Sequence, residues 1–131
     1  PTRKNKMKRD MELIRKILFT IEDQYHPGEG QIQCLKVEGY DLKTIAEHCN
    51  LLFQQGLITN YIASWGDDTI QTFLIGNLSS RGYDYLELIR NDQVWQKTTD
   101  EIKNKKLPQT IEEIARVAGI FTGQVIKELN S

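Results

Sequence analysis

Residues 39–75 decide the fold class, because they join a helical pattern to a strand-loop-strand pattern. They read GYDLKTIAEHCNLLFQQGLITNYIASWGDDTIQTFLI. Apolar residues recur at spacings of three and four between Leu42 and Phe53, which predicts an amphipathic helix. Asp41 stands at the position of an N-cap, and Gly56 stands where helices commonly end. The first half of the segment is therefore predicted to be one helix of about four turns.

The second half of this segment contains two runs rich in β-branched and aromatic residues. The runs are residues 57–62 and 69–75, and residues 63–68, ending in Gly66-Asp67-Asp68, separate them. Two such runs joined by a Gly/Asp-rich stretch predict a β-hairpin with its loop at 63–68.

Upstream, a helical period from Met11 to Ile21 predicts a first helix, with Asp10 as its N-cap. The Pro27-Gly28 pair interrupts this pattern. Alternating apolar residues at 31–37 then predict a short strand before the helix described above.

Downstream, the helical period returns in three places. Ser79 or Ser80 is placed to cap the first helix, and Asp92 opens a second, shorter one. Thr110 and Glu113 have the spacing of a capping box and open a last helix, whose apolar arc is wide.

This order of elements predicts an α+β fold with a winged-helix-like arrangement: helix, short strand, helix and hairpin wing, followed by two or three C-terminal helices. We expect residues 1–6 to be a flexible leader or cloning remnant and residues 7–78 to form the winged-helix-like core. Residues 79–131 are expected to pack on that core within the same single domain.

The composition limits the class of protein. The chain has 131 residues, 27% of them charged and 8% aromatic, which suits one globular domain and argues against a disordered or collagen-like chain. No apolar run approaches the length of a membrane span, so no membrane association is expected. Two cysteines without a CxxC pair favour a reducing, cytoplasmic location.

The charge is distributed unevenly along the chain. The net charge is −1, but residues 1–16 hold seven basic and two acidic residues, which leaves −6 on the remaining 115. A basic arm on an acidic body is typical of a nucleic-acid-binding arm, but a solvated terminus has the same form and is the simpler interpretation.

The helix beginning at Asp41 occupies the place of a recognition helix. Its exposed side and the basic arm supply the candidate DNA contacts Lys8, Arg9, Lys43, Thr44, Asn50 and Gln54. Glu47 offsets Lys43, and Asp67 and Asp68 in the wing would repel phosphate. Only about 17 residues separate this helix from the first one, so the supporting helix of a helix-turn-helix is missing. A merely solvated helix face and wing remain the alternative.

No residues have the spacing of an active or metal site. His26, Cys34, His48 and Cys49 match no zinc pattern, and Cys49 falls on the apolar side of its helix, as a buried structural cysteine does. No nucleophile elbow, phosphate loop or dinucleotide motif occurs. We therefore expect no enzyme activity, no metal, no cofactor and no small-molecule substrate.

The last helix contains small residues at a regular spacing of four. Ala115, Gly119 and Gly123 follow one another at this interval, with Phe121 between the two glycines. Glycine destabilises a helix interior relative to alanine, and close approach of another helix can offset that loss. These residues are candidates for a helix seam or dimer contact; the alternative is a weak terminal helix packed on its own domain.

Three blocks of the chain resemble a known family. They are MKRDMELIRKIL at 7–18, GYDLKTIAEHCNLLFQQGLI at 39–58 and LSSRGYDYLELIRNDQVWQKT at 78–98. In order and spacing they are similar to an uncharacterised family of small bacterial and phage-borne proteins, known as a domain of unknown function. The resemblance implies a winged-helix-like fold and carries over no catalytic residues.

The sequence thus supports two hypotheses of function. The first is a small, non-enzymatic, phage or prophage regulator that binds double-stranded DNA. The second is a protein-interaction or dimerisation module, with a degenerate winged helix that contacts a second copy or a host or phage protein.

Overall fold

A computed structural model describes residues 8–129; the expectation of a leader at 1–6 concerns residues outside this range. Within it lie five helices and one three-stranded antiparallel sheet, which confirms the α+β class. The elements are α1 (Met11–Gln24), β1 (Ile32–Gln33), α2 (Leu42–Gln54), β2 (Tyr61–Gly66), β3 (Thr69–Ile75), α3 (Ser80–Ile89), α4 (Asp92–Asn104) and α5 (Ile111–Leu129).

Most helix ends lie where the sequence predicts them. The Asp10 carboxylate accepts a hydrogen bond from Leu13 N at 3.1 Å, and α1 begins at the next residue. Ser79 rather than Ser80 caps α3, since its hydroxyl accepts from Gly82 N at 3.0 Å. Both observations confirm the expected N-caps, because a side-chain oxygen satisfies an otherwise unpaired N–H of the first turn.

The first unit of the structure comprises the described residues through Tyr83. The sheet has the order β1-β3-β2, with Ile32 opposite Ile75 on one side of β3 and Tyr61 opposite Ile75 on the other. Helix α2 contacts α1 and both hairpin strands. The core between them consists of fully buried side chains that include Leu13, Ile17, Leu18, Ile21, Ile45, Leu52, Leu57, Phe73 and Ile75.

Two strand predictions need correction. The predicted strand at 31–37 is only two residues long, because Cys34 has φ 45°, a left-handed conformation that ends the extended run. The predicted hairpin loop at 63–68 is wrong as well. Strand β2 continues to Gly66, and Asp67 and Asp68 alone form the turn, both with positive φ, as a two-residue type I′ turn requires.

The second unit begins at Asp84. Within it α4 packs against α5, and the buried side chains of the two helices include Val94, Trp95, Ile102, Ile111, Ile114 and Val117. The predicted capping box of α5 is half formed. Glu113 N donates to the Thr110 hydroxyl at 3.1 Å, but the Glu113 carboxylate pairs with Arg116 instead of returning to Thr110.

Among the described residues, no helix combines the length and the apolar character needed to cross a bilayer.

Candidate binding face on helix α2 and strand β2

Helix α2 divides into a buried and an outward side. The buried residues are Ile45, Ala46, His48, Cys49 and Leu52. The outward residues, spaced by three or four, are Lys43, Glu47, Asn50 and Gln54. Gln54 is exposed and the other three are half-buried, so α2 presents a mainly polar stripe with one cation and one anion.

The start of α2 is fixed by its N-cap. Thr44 N donates to the Asp41 carboxylate at 2.7 Å. This backbone hydrogen bond is the main reason that the pKa of Asp41 is lowered, with smaller contributions from the Thr44 side chain and from Lys43. The backbone N–H of the predicted contact residue Thr44 is therefore occupied by the N-cap hydrogen bond.

A buried histidine connects the N-terminal end of α1 to α2. His48 is fully buried; its Nε2 accepts from Asp10 N at 2.9 Å and its Nδ1–H donates to Thr44 O at 2.8 Å. Because a backbone N–H can only donate and a carbonyl can only accept, both bonds require the neutral tautomer protonated at Nδ1. His48 thus anchors the residue that directly follows Lys8 and Arg9.

Strand β2 faces α2 with every second residue. Tyr61, Ala63 and Trp65 alternate along the strand and line a groove together with residues of the helix. We define the α2–β2 groove by its lining residues, Glu47, Asn50, Leu51, Tyr61, Ala63 and Trp65; its volume is about 400 Å³.

The aromatic wall of the α2–β2 groove is internally ordered. The Trp65 side chain is hydrogen-bonded to that of Tyr61. Burial is the largest cause of the raised pKa of Tyr61, and nearby Cys49 and Glu47 act in the same direction, whereas the hydrogen bond from Trp65 opposes them. Tyr61 therefore remains a neutral phenol at physiological pH.

The charge around the groove is neutral to acidic. Glu47 is the carboxylate of its lining, and Asp67 and Asp68 are exposed at the tip of the hairpin. Lys43 lies on the outward stripe one turn before Glu47. This combination contrasts with the positive surface that phosphate binding uses.

The structure brings some of the predicted DNA contacts together and leaves others apart. Lys43, Asn50 and Gln54 share the outward stripe of α2, and Asn50 also lines the groove. Lys8 is exposed and Arg9 half-buried, and both precede the first residue of α1. Their link to α2 is indirect, through the Asp10–His48 hydrogen bond.

Three groove residues were missed by the sequence analysis, Leu51, Tyr61 and Ala63, and Trp65 was placed only in the predicted loop of the wing. The strand was expected to end at Ile62, so residues 63–65 were assigned to a loop, where alternation has no meaning. The alternation of Tyr61, Ala63 and Trp65 is the signal that could have identified this wall, had Asp67-Asp68 been recognised as a two-residue turn.

The predicted seam residues lie on α5. Gly119 and Gly123 are exposed, Ala115 and Phe121 are half-buried, and among the described residues nothing beyond the adjacent backbone of α5 itself lies within 4 Å of a Cβ placed on either glycine. A second helix of the same unit does not fill this stripe; contact with a second copy stays a prediction.

Of the four soft metal ligands in the sequence, Cys49 is fully buried, as expected, and Cys34 is half-exposed. In the range 8–129 no three His, Cys, Asp or Glu side chains are grouped so that they could hold a metal ion.

Comparison with known proteins identifies relatives without a described activity. A family described as "Hypothetical protein (DUF2513)" matches residues 8–108. An uncharacterized protein of Haemophilus influenzae is 31% identical over 120 residues, covering 92% of this chain and 99% of its own length. No solved structure matches the chain significantly.

Proposed function

The chain belongs to the DUF2513 family, and from its surface we propose that it is a non-enzymatic protein-interaction domain with a winged-helix-like core. In this proposal the partner protein binds the face formed by α2 and β2. The observation that carries it is that α2 and β2 leave large apolar side chains exposed, among them Trp65 in the groove lining, combined with an excess of acidic residues.

The winged-helix-like part of the proposal is supported by the sheet. Strand β1 lies between α1 and α2 in sequence and pairs with β3, so the order is β1-β3-β2, as in winged helices. Residues 34–41 connect β1 to α2 without a helix. The missing element is the one that positions a recognition helix in the major groove, which favours another use of α2.

Exposed apolar side chains support a protein partner. Phe53 at the end of α2 is 41% exposed, and Ile62 and Trp65 on β2 are 54% and 41% exposed. Large aromatic and aliphatic side chains at the surface are enriched at protein interfaces, where burying them is favourable.

The charge balance supports the same choice. Residues 8–83 contain seven Lys and Arg against ten Asp and Glu. Non-specific DNA affinity depends on the number of phosphates that Lys and Arg neutralise, and an acidic domain with Asp67 and Asp68 at its wing tip works against it.

The groove chemistry supports a binding role over catalysis. The lining of the α2–β2 groove contains no Ser, Cys, Lys or His, and its titratable side chains are Glu47 and Tyr61. Burial raises the pKa of the Tyr61 phenol, so at neutral pH it is neither a base nor an activated nucleophile. Catalytic sites typically place a nucleophile or base within hydrogen-bond reach of a partner that orients it.

Site-specific photo-crosslinking in native cells tests the proposal. A photoreactive amino acid replaces Gln54 or Ile62, and an exposed position in α4, Lys103, serves as the control. We expect a crosslinked adduct from the first two positions only, and we expect protease but not nuclease to destroy it. A nuclease-sensitive adduct, or equal adducts from all three positions, contradicts the proposal.

DNA binding is a second candidate, favoured by one specific observation. Asn50 and Gln54 lie one turn apart on the outward stripe of α2, and these side chains can read adenine. A salt titration with duplex DNA tests it: Lys43→Ala should weaken binding and reduce the salt slope, and the matched Glu47→Ala should strengthen binding. If the protein does not bind duplex DNA even at low salt, this candidate is excluded.

The phage or prophage context and the cytoplasmic location remain predictions from the sequence.

A further inference from the structure

Strand β2 is an edge of the sheet. It pairs with β3 on one side, and in the described part of the chain no strand pairs with its other side. An edge strand therefore has a row of backbone N–H and C=O groups facing away from the sheet. These groups can pair with an additional strand from another molecule.

The sequence of β2 lacks the residues that usually protect an edge. It reads YIASWG and contains no Lys, no Pro and no acidic side chain. The register of β2 with β3 shifts between Ser64 and Trp65, because Gln71 of β3 is an extra residue without a partner in β2. Because this bulge disrupts the regular ladder, the stretch of β2 suited to strand addition is residues 61–64.

The α2–β2 groove lies directly beside this edge. Tyr61 and Ala63 form one wall, and Asn50 and Leu51 of α2 form part of the other. Strand-addition sites have this general arrangement, since backbone pairing supplies affinity and adjacent pockets accept alternate side chains of the bound strand.

Charge indicates what those side chains should be. Glu47 projects from the α2 wall, and Asp67 and Asp68 lie at the hairpin tip, whereas the lining contains no cation. The Tyr61 and Trp65 rings in the opposite wall offer aromatic faces to a cation. A lysine or arginine of the bound strand is the complementary group.

We infer that the α2–β2 groove binds an extended, basic peptide segment of a partner protein, which adds to the free edge of β2 and places a Lys or Arg side chain beside Glu47. This inference rests on the proposed function, because it specifies the partner of the same face. It goes further by naming the backbone mode of binding and the charge of the ligand.

The test is a titration of the ¹⁵N-labelled full chain with a synthetic octapeptide of alternating Lys and Thr, followed by amide chemical shifts. Two peptides serve as controls. In one, Glu replaces Lys; in the other, alternate backbone nitrogens are methylated, which removes the donors for strand pairing while keeping the charge. We expect saturable shifts at residues 61–64 and along α2 with the first peptide only.

Two matched variants test the role of charge. Glu47→Gln should weaken binding of the Lys/Thr peptide by about twofold to fivefold, the range of a partly exposed ion pair. Glu29→Gln removes the same charge from an exposed loop and should leave the affinity unchanged. Thermal melts of both variants confirm that the fold is intact.

Several results would overturn the inference. Equal binding of the methylated peptide excludes strand addition, and equal binding of the Glu/Thr peptide excludes charge recognition. Concentration-dependent shifts of β2 without peptide identify a second copy as the occupant, and shifts with duplex DNA alone identify nucleic acid. If no peptide binds at millimolar concentration while protein adducts form at Gln54 and Ile62, this inference fails and the proposed function stands.

Discussion

At the scale of single residues, the two cysteines occupy contrasting environments. Cys49 is fully buried in the first unit, and burial raises the pKa of its thiol to about 12. Cys34 is half-exposed, with its Sγ 3.5 Å from the Thr72 hydroxyl oxygen. Because the thiolate is the reactive form of cysteine, these environments predict selective modification.

We expect a thiol reagent at pH 8 to label Cys34 in the folded protein and to label Cys49 only after denaturation. Mass spectrometry of the modified peptides measures both rates. Cys34→Ser serves as the control, since it should leave one slow site that becomes fast in urea. Equal labelling rates in native buffer would contradict the burial of Cys49.

Gly82 lies where the structure leaves no room for a side chain. In the first turns of α3, a Cβ at this position would overlap the carbonyl oxygen of Leu57, which also accepts a hydrogen bond from Ser79 N. The obstacle is backbone, which cannot rotate away as a side chain can. Helix propensity alone favours alanine over glycine. Propensity therefore predicts that Gly82→Ala stabilises the protein, whereas packing predicts that it destabilises it.

We expect Gly82→Ala to lower the free energy of unfolding by about 1–3 kcal/mol, the usual range for overpacking. Urea denaturation measures this change. Gly28→Ala is the matched control: a Cβ there meets nothing within 4 Å, so its stability should stay within about 0.5 kcal/mol of the parent protein. A stabilising Gly82→Ala would show that Leu57 can move.

At the scale of the elements, the start of α2 depends on Asp41. The hydrogen bond from Thr44 N at 2.7 Å lowers the pKa of this carboxyl in the folded state. A folded-state pKa below the unfolded value means that the carboxylate contributes stability above the unfolded pKa. This contribution is lost as the pH falls through the folded pKa.

We expect Asp41→Ala to destabilise the protein by about 0.5–2 kcal/mol at pH 7, because the cap is lost. Asp41→Asn keeps a side-chain acceptor and should preserve most of the stability at pH 7 while flattening the decline in acid. Denaturation at a series of pH values compares the three proteins. An unchanged acid decline in the Asn variant would assign that pH dependence to other carboxylates.

The elements also show how far sequence reasoning reaches. The helices were predictable, since their apolar spacing and their caps at Asp10, Asp41 and Ser79 are local signals. The sheet was less so: β1 is stopped by the backbone conformation of Cys34, and β2 extends because Asp67 and Asp68 both adopt positive φ. Neither conformation is dictated by composition. Because the two-residue turn at Asp67 and Asp68 was not predicted, the β2 wall of the α2–β2 groove was not predicted either.

At the scale of the whole molecule, the uneven charge gains a spatial meaning. The sequence contrasts a basic N-terminal stretch with an acidic remainder, and the structure adds that Glu47 and the exposed Trp65 share the face formed by α2 and β2, with Asp67 and Asp68 at the adjoining hairpin tip. A polypeptide with basic side chains would match this face in charge and in apolar surface, whereas a nucleic-acid backbone would match neither.

Self-association is the remaining property of the whole molecule that the structure makes testable. Helix α5 presents Gly119 and Gly123 to solvent, and Ile120 beside them is 52% exposed. In the described part of the chain, nothing beyond the adjacent backbone of α5 lies within 4 Å of a Cβ at either glycine. The spacing predicts a seam with a second copy, and the open space predicts a helix that alanine would simply stabilise.

We expect alanine at these two positions to stabilise the helix rather than to disrupt a dimer. The double variant Gly119→Ala/Gly123→Ala should gain up to about 1 kcal/mol of stability per site, since each glycine lies inside a helix and no described neighbour beyond that helix's own backbone would meet its Cβ. Light scattering should give the same mass for the variant and the parent. A parent dimer that the double substitution dissociates would instead place a second copy against these glycines, because only a closely packed backbone makes two added methyl groups unfavourable.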